Sequence, residues 1–526
     1  MTFLQGSRGG RTLDLARRNR HSSRGASMKK PLLLLFLAVI CSAIDLRAQD
    51  ARAVLDAAAA ALGAANLRSL EFSGRGTDGI FGQPYDGNSP WPRFSVPNLT
   101  MTIDFATPAM RDDRRRQQLQ NPPLGGGFQP LIGELRQTWL LSGGYAWDMV
   151  GQNAVPAAPE RDFRSAVDGR LAQIWLTPQG FVKAALANGA TARTETIRGA
   201  KKTIVSFTGP NKMKFEGVIG DQNLVEGIDT WFGSPVLGDT KLEAVFSGYK
   251  DFGGVKFPTR IVQRNGGYPV LDLTVTEVKP NAAVTIDVPA NIRQAAAPAP
   301  ERLQGEKVSD GVWLFPGGAK SIAIEFRDHI VVVDAPETEA RSILVIDAIK
   351  RAIPGKPIRY LINTHHHFDH SGGLRTYAAE GATIITQQAN VAFYQNAWRN
   401  PRTINPDRLA QSGRTPVFEG VTGGRVMADG TRDLNIYHYA GNMHNIGMLM
   451  VYLPREKMLI EADSWTPPAN RGDLPGAVPN LAHFYDAVTR LQLDVEQIVP
   501  IHGRLTPFSE VREAVEAYGN AQLWAR

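Results

Sequence analysis

Thr364-His365-His366-His367-Phe368-Asp369-His370-Ser371-Gly372-Gly373 places four histidines and one carboxylate in six consecutive positions. Imidazole and carboxylate are the donors that a borderline-soft divalent cation such as zinc prefers. The run Ile358-Arg359-Tyr360-Leu361-Ile362-Asn363 just before it reads as a short buried strand. The cluster is therefore expected on the turn that leaves a strand, with Gly372-Gly373 opening the next element. Alternate side chains of an extended backbone share a face, so His365 and His367 can grip one ion while His366 points away, either to support the ligands or, as expected here, to the surface. Asp369 and His370 follow as the chain turns and can reach a second ion. An expression tag would be terminal and flanked by polar filler, whereas this cluster is internal and led in by Tyr360-Leu361-Ile362.

Further along the chain, His444 lies in Tyr439-Ala440-Gly441-Asn442-Met443-His444. Asp463 ends Lys457-Met458-Leu459-Ile460-Glu461-Ala462-Asp463, and His502 ends Gln497-Ile498-Val499-Pro500-Ile501-His502. With these, His365-x-His367-x-Asp369-His370 resembles the signature of the metallo-β-lactamase-fold hydrolases. That family adds a third His, a bridging Asp and a last His in the same order, each at a strand end. The resemblance covers roughly residues 305 to 526. One departure is Ala462, where the family often has Gly before the bridging Asp; the ligand itself is untouched.

The resemblance implies one metal at His365, His367 and His444, and a second at Asp369, His370 and His502, with Asp463 bridging. It implies two Zn²⁺ about 3.5–4 Å apart, with iron or manganese as substitutes. It also implies a metal-bridging hydroxide that cleaves an ester, lactone, thioester or amide bond. Asp369 is the expected catalytic carboxylate, able to take a proton on an oxygen that the metal leaves free. Asp334 ends the apolar run Ile330-Val331-Val332-Val333. It is the carboxylate expected behind the ligands, holding an imidazole N–H.

Composition narrows the function classes. The net charge of +7 resides in residues 1–48, which hold nine Lys or Arg against two Asp. The rest of the chain is neutral and gives no reason to expect nucleic acid as a partner. Met28-Lys29-Lys30, the apolar run Leu32 to Ile40 and the small residues to Ala48 read as a signal peptide starting at Met28. A periplasmic or secreted protein is the expectation. The apolar run is too short for a stable membrane span. Cys41 is the single cysteine and lies in that leader, so the metal donors must be His and carboxylate.

Four segments are expected: the leader 1–48, a β-rich domain 49–290, an Ala/Pro linker 291–304, and the metal domain 305–526. In the second, Ala-rich residues 51–63 read as an amphipathic helix. Runs such as Leu70-Glu71-Phe72-Ser73-Gly74 and Leu271-Asp272-Leu273-Thr274-Val275 alternate with turn residues, which predicts a mainly antiparallel sheet. One helix is predicted from Ala172 to Asn188. The layout resembles envelope lipoprotein-carrier half-barrels, and such a sheet could cradle an apolar ligand. The metal domain interleaves strands and helices, which suits a four-layer αβ/βα sandwich. Its segment Asn396 to Pro416 is long enough to be a loop over the site; Arg399, Arg402, Arg408 and Arg414 could hold a substrate carboxylate, while a solvated loop is the favoured reading of any one of them. Trp465 to Pro468 is expected to wall the site.

An exported di-zinc hydrolase of a small molecule is the first reading. A mononuclear iron dioxygenase on the same fold and a non-enzymatic envelope binding protein are the alternatives.

Overall fold

The computed structural model describes residues 51–524, apart from 160–163, 211, 296–301 and 471–477. The leader, and residues 296–301 of the Ala/Pro linker, lie outside the described residues. Among the described residues, no helix is long and apolar enough to cross a membrane.

The first half is one thirteen-stranded antiparallel sheet built from two meanders. One runs outward from Ser69–Gly79 to Asn153–Pro156, and the other returns from Thr191–Ile197 to Tyr268–Pro280. They are joined by pairing of Ser69–Gly79 with Tyr268–Pro280. Strand Gly238–Phe252 alternates between buried and more exposed positions along much of its length, the period-2 signature of a sheet with one covered face. Helix 51–62 buries Leu55, Ala58 and Leu62 against that face. The spacings of three and four put these residues on one stripe.

The predicted helix from Ala172 to Asn188 is two helices, Ala166–Trp175 and Pro178–Ala187. Pro178 has no N–H to continue the first helix. It sits at the first turn of the second, which is capped by the Thr177 hydroxyl accepting from Gly180 N at 3.2 Å. Trp175 and Phe181 then pack on Phe207 and Phe215 of the sheet.

The second half is a four-layer sandwich, as the sequence pattern suggested. A seven-stranded and a six-stranded sheet face each other. Val331, Val333 and Ile362 interdigitate with Val451, Ile460 and Val499 between them. Helix Glu339–Ala352 covers the outer face of the first sheet through Val345, Ile346 and Ile349. Leu481, Phe484 and Val511 cover that of the second. Strand Ile330–Val333 is parallel to Ile358–Ile362, and Met458–Glu461 is parallel to Gln497–Pro500. The C-terminal ends of these four strands deliver Asp334, the His365–His370 turn, Asp463 and His502 to one edge of the sandwich.

The segment expected over the site does something else. Arg402 is buried and donates to the carbonyls of Ser234, Pro235 and Val236 at 2.8–3.1 Å. Asp239 accepts from Thr403 N and Ile404 N. Asp407 accepts from Arg375 Nη2 at 2.9 Å. Arg408 faces Glu380. Residues 400–407 thus strap the sandwich to the sheet rather than roofing the metal ligands. Trp465 is also displaced from its expected place: it is buried in the core beneath the second sheet.

Removing the three Arg402 donors in Arg402→Ala leaves buried carbonyls unpaired and is expected to cost roughly 2–3 kcal/mol in urea denaturation. Asp239 and Asp407 are both held below the usual carboxylate range. Burial opposes this, but the Thr403 and Ile404 donors outweigh it at Asp239, as does Arg375 at Asp407. Their unfolded forms bind protons first. Their stabilisation is therefore present above about pH 4 and is lost as pH falls through the depressed folded values. The fall in urea midpoint on acidification from about pH 5 to 3 should be smaller in Asp239→Asn than in the wild type.

Candidate metal centre

The turn Thr364–His370 is fixed from beneath by Asp334. Its Oδ1 accepts from Thr364 N and its Oδ2 from Thr364 Oγ1, both at 2.8 Å. Oδ2 also faces His370 Nδ1 at 2.8 Å. Asp334 is fully buried and takes a φ of 57°, a left-handed conformation that Asp and Asn tolerate better than most residues. That backbone turn aims the carboxylate under the strand end.

Two donor groups share Asp463. His365, His367, His444 and Asp463 form one; Asp369, His370, Asp463 and His502 form the other. Within each, the donor atoms lie within 4.8 Å of one another. Asp463 Oδ2 lies 2.8 Å from His444 Nε2, 3.2 Å from His370 Nε2 and 3.4 Å from His365 Nε2. Its Oδ1 lies 3.2 Å from His502 Nε2. All seven residues expected as ligands are therefore brought together.

The nitrogens that face inward fit cations. Among the described residues, His367 Nδ1 is buried with no hydrogen-bond partner, and His365 Nε2 and His444 Nε2 are buried facing Asp463. Three buried nitrogens gathered beside one carboxylate are what a bound cation would satisfy. Several opposite ring nitrogens are occupied. His367 Nε2 meets the Pro84 carbonyl at 2.9 Å, His502 Nδ1 meets Gly318 O at 3.0 Å, and His365 Nδ1 meets Thr364 Oγ1 at 3.2 Å. Such partners fix the tautomer and leave the other nitrogen free to bind metal. Burial and the neighbouring His370 push the His365 pKa down to about 3; burial, His365 and His444 push His367 well down. Both rings are neutral at pH 7, the ligating form. Burial would also lower His370, but Asp463, Asp369 and Asp334 outweigh it and raise it.

Two expectations are corrected here. His366, expected at the surface, is buried, with Nδ1 3.0 Å from Asn445 Nδ2. The second oxygen of Asp369 is not free: Oδ1 accepts from Gln83 Nε2 at 2.7 Å. Gln83, Pro84 and Asn445 carried no signal in the sequence, because they lie on irregular loops. Glu461 was also missed. Burial lifts its carboxyl pKa to about 8, although it accepts from Ser464 N and Trp465 N behind Asp463.

Beside Asp369 opens a cavity of about 660 Å³ between the sheet and the sandwich. Its sheet wall is mixed, with Ile80, Phe81, Met110, Leu242 and Leu271 beside a charged stripe. Asp112, Arg114 and Arg116 alternate onto one face of Ala109–Gln118, opposite Trp139 and Gln137. Arg114 and Arg116 meet Asp78 at 3.0 and 2.7 Å. The Arg114 guanidinium lies 4.4 Å from the Trp139 ring centre.

Residues 314–467 match the metallo-beta-lactamase superfamily. The C-terminal half carries the metallo-β-lactamase fold. The 2,4-dinitroanisole O-demethylase subunit alpha of Nocardioides sp. (strain JS1661) is 26% identical over 162 residues, 30% of this chain and 45% of that protein. The chain thus spans under half the length of this curated relative. Among solved structures, a metallo-beta-lactamase from Pontibacter korlensis is 20% identical with a TM-score of 0.32, covering 41% of this chain and 97% of its own. Rubredoxin oxygen:oxidoreductase from Desulfovibrio gigas is 16% identical with a TM-score of 0.33, covering 41% and 60%.

Asp334→Asn keeps a residue that tolerates the positive φ but removes the anion facing His370. Zinc affinity, read by competition with a chelating dye, is expected to fall about 10–100-fold.

Proposed function

We propose that this chain is an exported, two-metal hydrolase that cleaves an ester, lactone, thioester or amide bond in a small molecule. The observation that carries this reading is the pair of donor groups sharing Asp463, each with three further ligands of its own. A mononuclear oxygenase needs only one such group. Zinc suits the His/carboxylate donor set. When bound, the cations supply Lewis acidity toward the scissile carbonyl and lower the pKa of water from 15.7 towards about 7.

The protein residues do the rest. His365, His367 and His444 hold one side of the site, and Asp463 spans both. Asp369, at the cavity edge, is the group that receives the proton of the attacking water. Gln83 donates to Oδ1 at 2.7 Å and fixes how the carboxylate is turned. The cavity of about 660 Å³ falls within the usual range for small-molecule sites. The arginines Arg114 and Arg116 are already matched by Asp78 and Asp112. The sheet wall therefore offers hydrogen bonds and the Trp139 ring rather than an uncommitted cation. Export rests on the signal-like segment from Met28 to Ala48.

A panel of chromogenic ester, lactone, thioester and β-lactam substrates tests the reaction. Zinc-loaded wild type should turn over at least one class, and Asp369→Asn should lose about 10²–10⁴-fold in kcat with its circular dichroism unchanged. No turnover with zinc, together with oxygen uptake by the iron-loaded chain, would sink the hydrolase reading.

A further inference from the structure

One loop of the sheet half reaches into the metal centre. Phe368 N, inside the ligand turn, donates to Gly82 O at 3.1 Å, and Ile446 N, two residues past His444, donates to Tyr85 O at 3.0 Å. Between these anchors, the Pro84 carbonyl meets His367 Nε2, and Asn445 Nδ2 donates to the same oxygen at 3.2 Å. A second sheet loop closes over it. Gly126 N donates to Gln83 O, and Gly125 N donates to Met443 O. The approach is so close that a Cβ on Gly126 would sit 2.7 Å from His367 Cε1 and 2.8 Å from His444 Cε1, so only glycine fits.

Gln83 is 3% exposed and directs its carboxamide N–H at Asp369 Oδ1. Asp369 Oδ2 is thereby turned towards His370 and His502, 3.9 Å from the Nε2 of each. Asp369 is 29% exposed on its side chain, so the bond from a buried Gln83 restricts a carboxylate that is otherwise partly open to solvent.

We propose that Gln83 is a positioning residue of the metal centre, fixing Asp369 so that one oxygen faces the His370/His502 donor group. The metal centre is then a joint product of both halves of the chain. Gln83 lies outside the 314–467 stretch that matches the superfamily. The assignment rests on the two-metal reading above.

The test uses the full chain, with Zn²⁺ titrated in competition with a chromophoric chelator and Co²⁺ absorption as the spectroscopic report. Gln83→Leu keeps the volume without the donor; Gln83→Ala removes both. Each should weaken one of two Zn²⁺ equivalents by about 10–100-fold, leave the other within about threefold, and alter the Co²⁺ spectrum of the second equivalent. Wild-type affinity and spectrum in both variants would overturn the assignment while leaving the two-metal site standing. If Gln83→Leu matched wild type and only Gln83→Ala failed, Gln83 would be mere packing and the assignment would likewise fall. If the wild-type chain binds under one equivalent, the two-metal reading fails and the assignment goes with it.

Discussion

Four imidazoles converge on the carboxylate of Asp463, from His365, His370, His444 and His502. Asp463 adopts a φ of 60° at the end of Met458–Glu461, which turns its side chain inward from the strand. Burial alone would raise its pKa, but the surrounding histidines pull it well below the usual value. The anion is thus held by rings that belong to the two candidate metal-donor groups. An arrangement of this kind is costly without cations, and the sandwich is built so that four parallel strand ends meet there.

The supports are distributed over the whole chain. Asp334 braces the ligand turn from beneath and Gly318 braces His502. Pro84 and Gln83 brace His367 and Asp369 from the other half of the molecule. The strap through Arg402 and Asp239 holds the two halves in register. It adds to the direct anchors of the Gln83 loop, where Phe368 N donates to Gly82 O and Ile446 N to Tyr85 O. Arg402 accordingly faces carbonyls of the sheet half rather than the metal ligands.

The sandwich and the ligand set were legible because their signals are local. Ile330-Val331-Val332-Val333 is a short β-branched run of the kind that forms buried strands, and His365-x-His367-x-Asp369-His370 packs its donors into one turn. Asp334 was legible for the same reason, as a carboxylate closing an apolar run. Gln83 was not: its partner is 286 residues away, and no pattern around it marks a ligand support. His366 misled because its burial depends on Asn445 and Phe393, contacts that only the assembled fold creates. The helix expected from Ala172 to Asn188 failed at Pro178, where a cap signal at Thr177 was present but unread.

The central claim is that seven side chains hold two cations around one shared carboxylate. Native mass spectrometry of the purified chain, reconstituted with zinc and cleared of excess, measures this directly. The account predicts two zinc ions per chain, and one in Asp463→Ala at most. A wild-type chain that retains none, or an Asp463→Ala variant that still retains two, would contradict it.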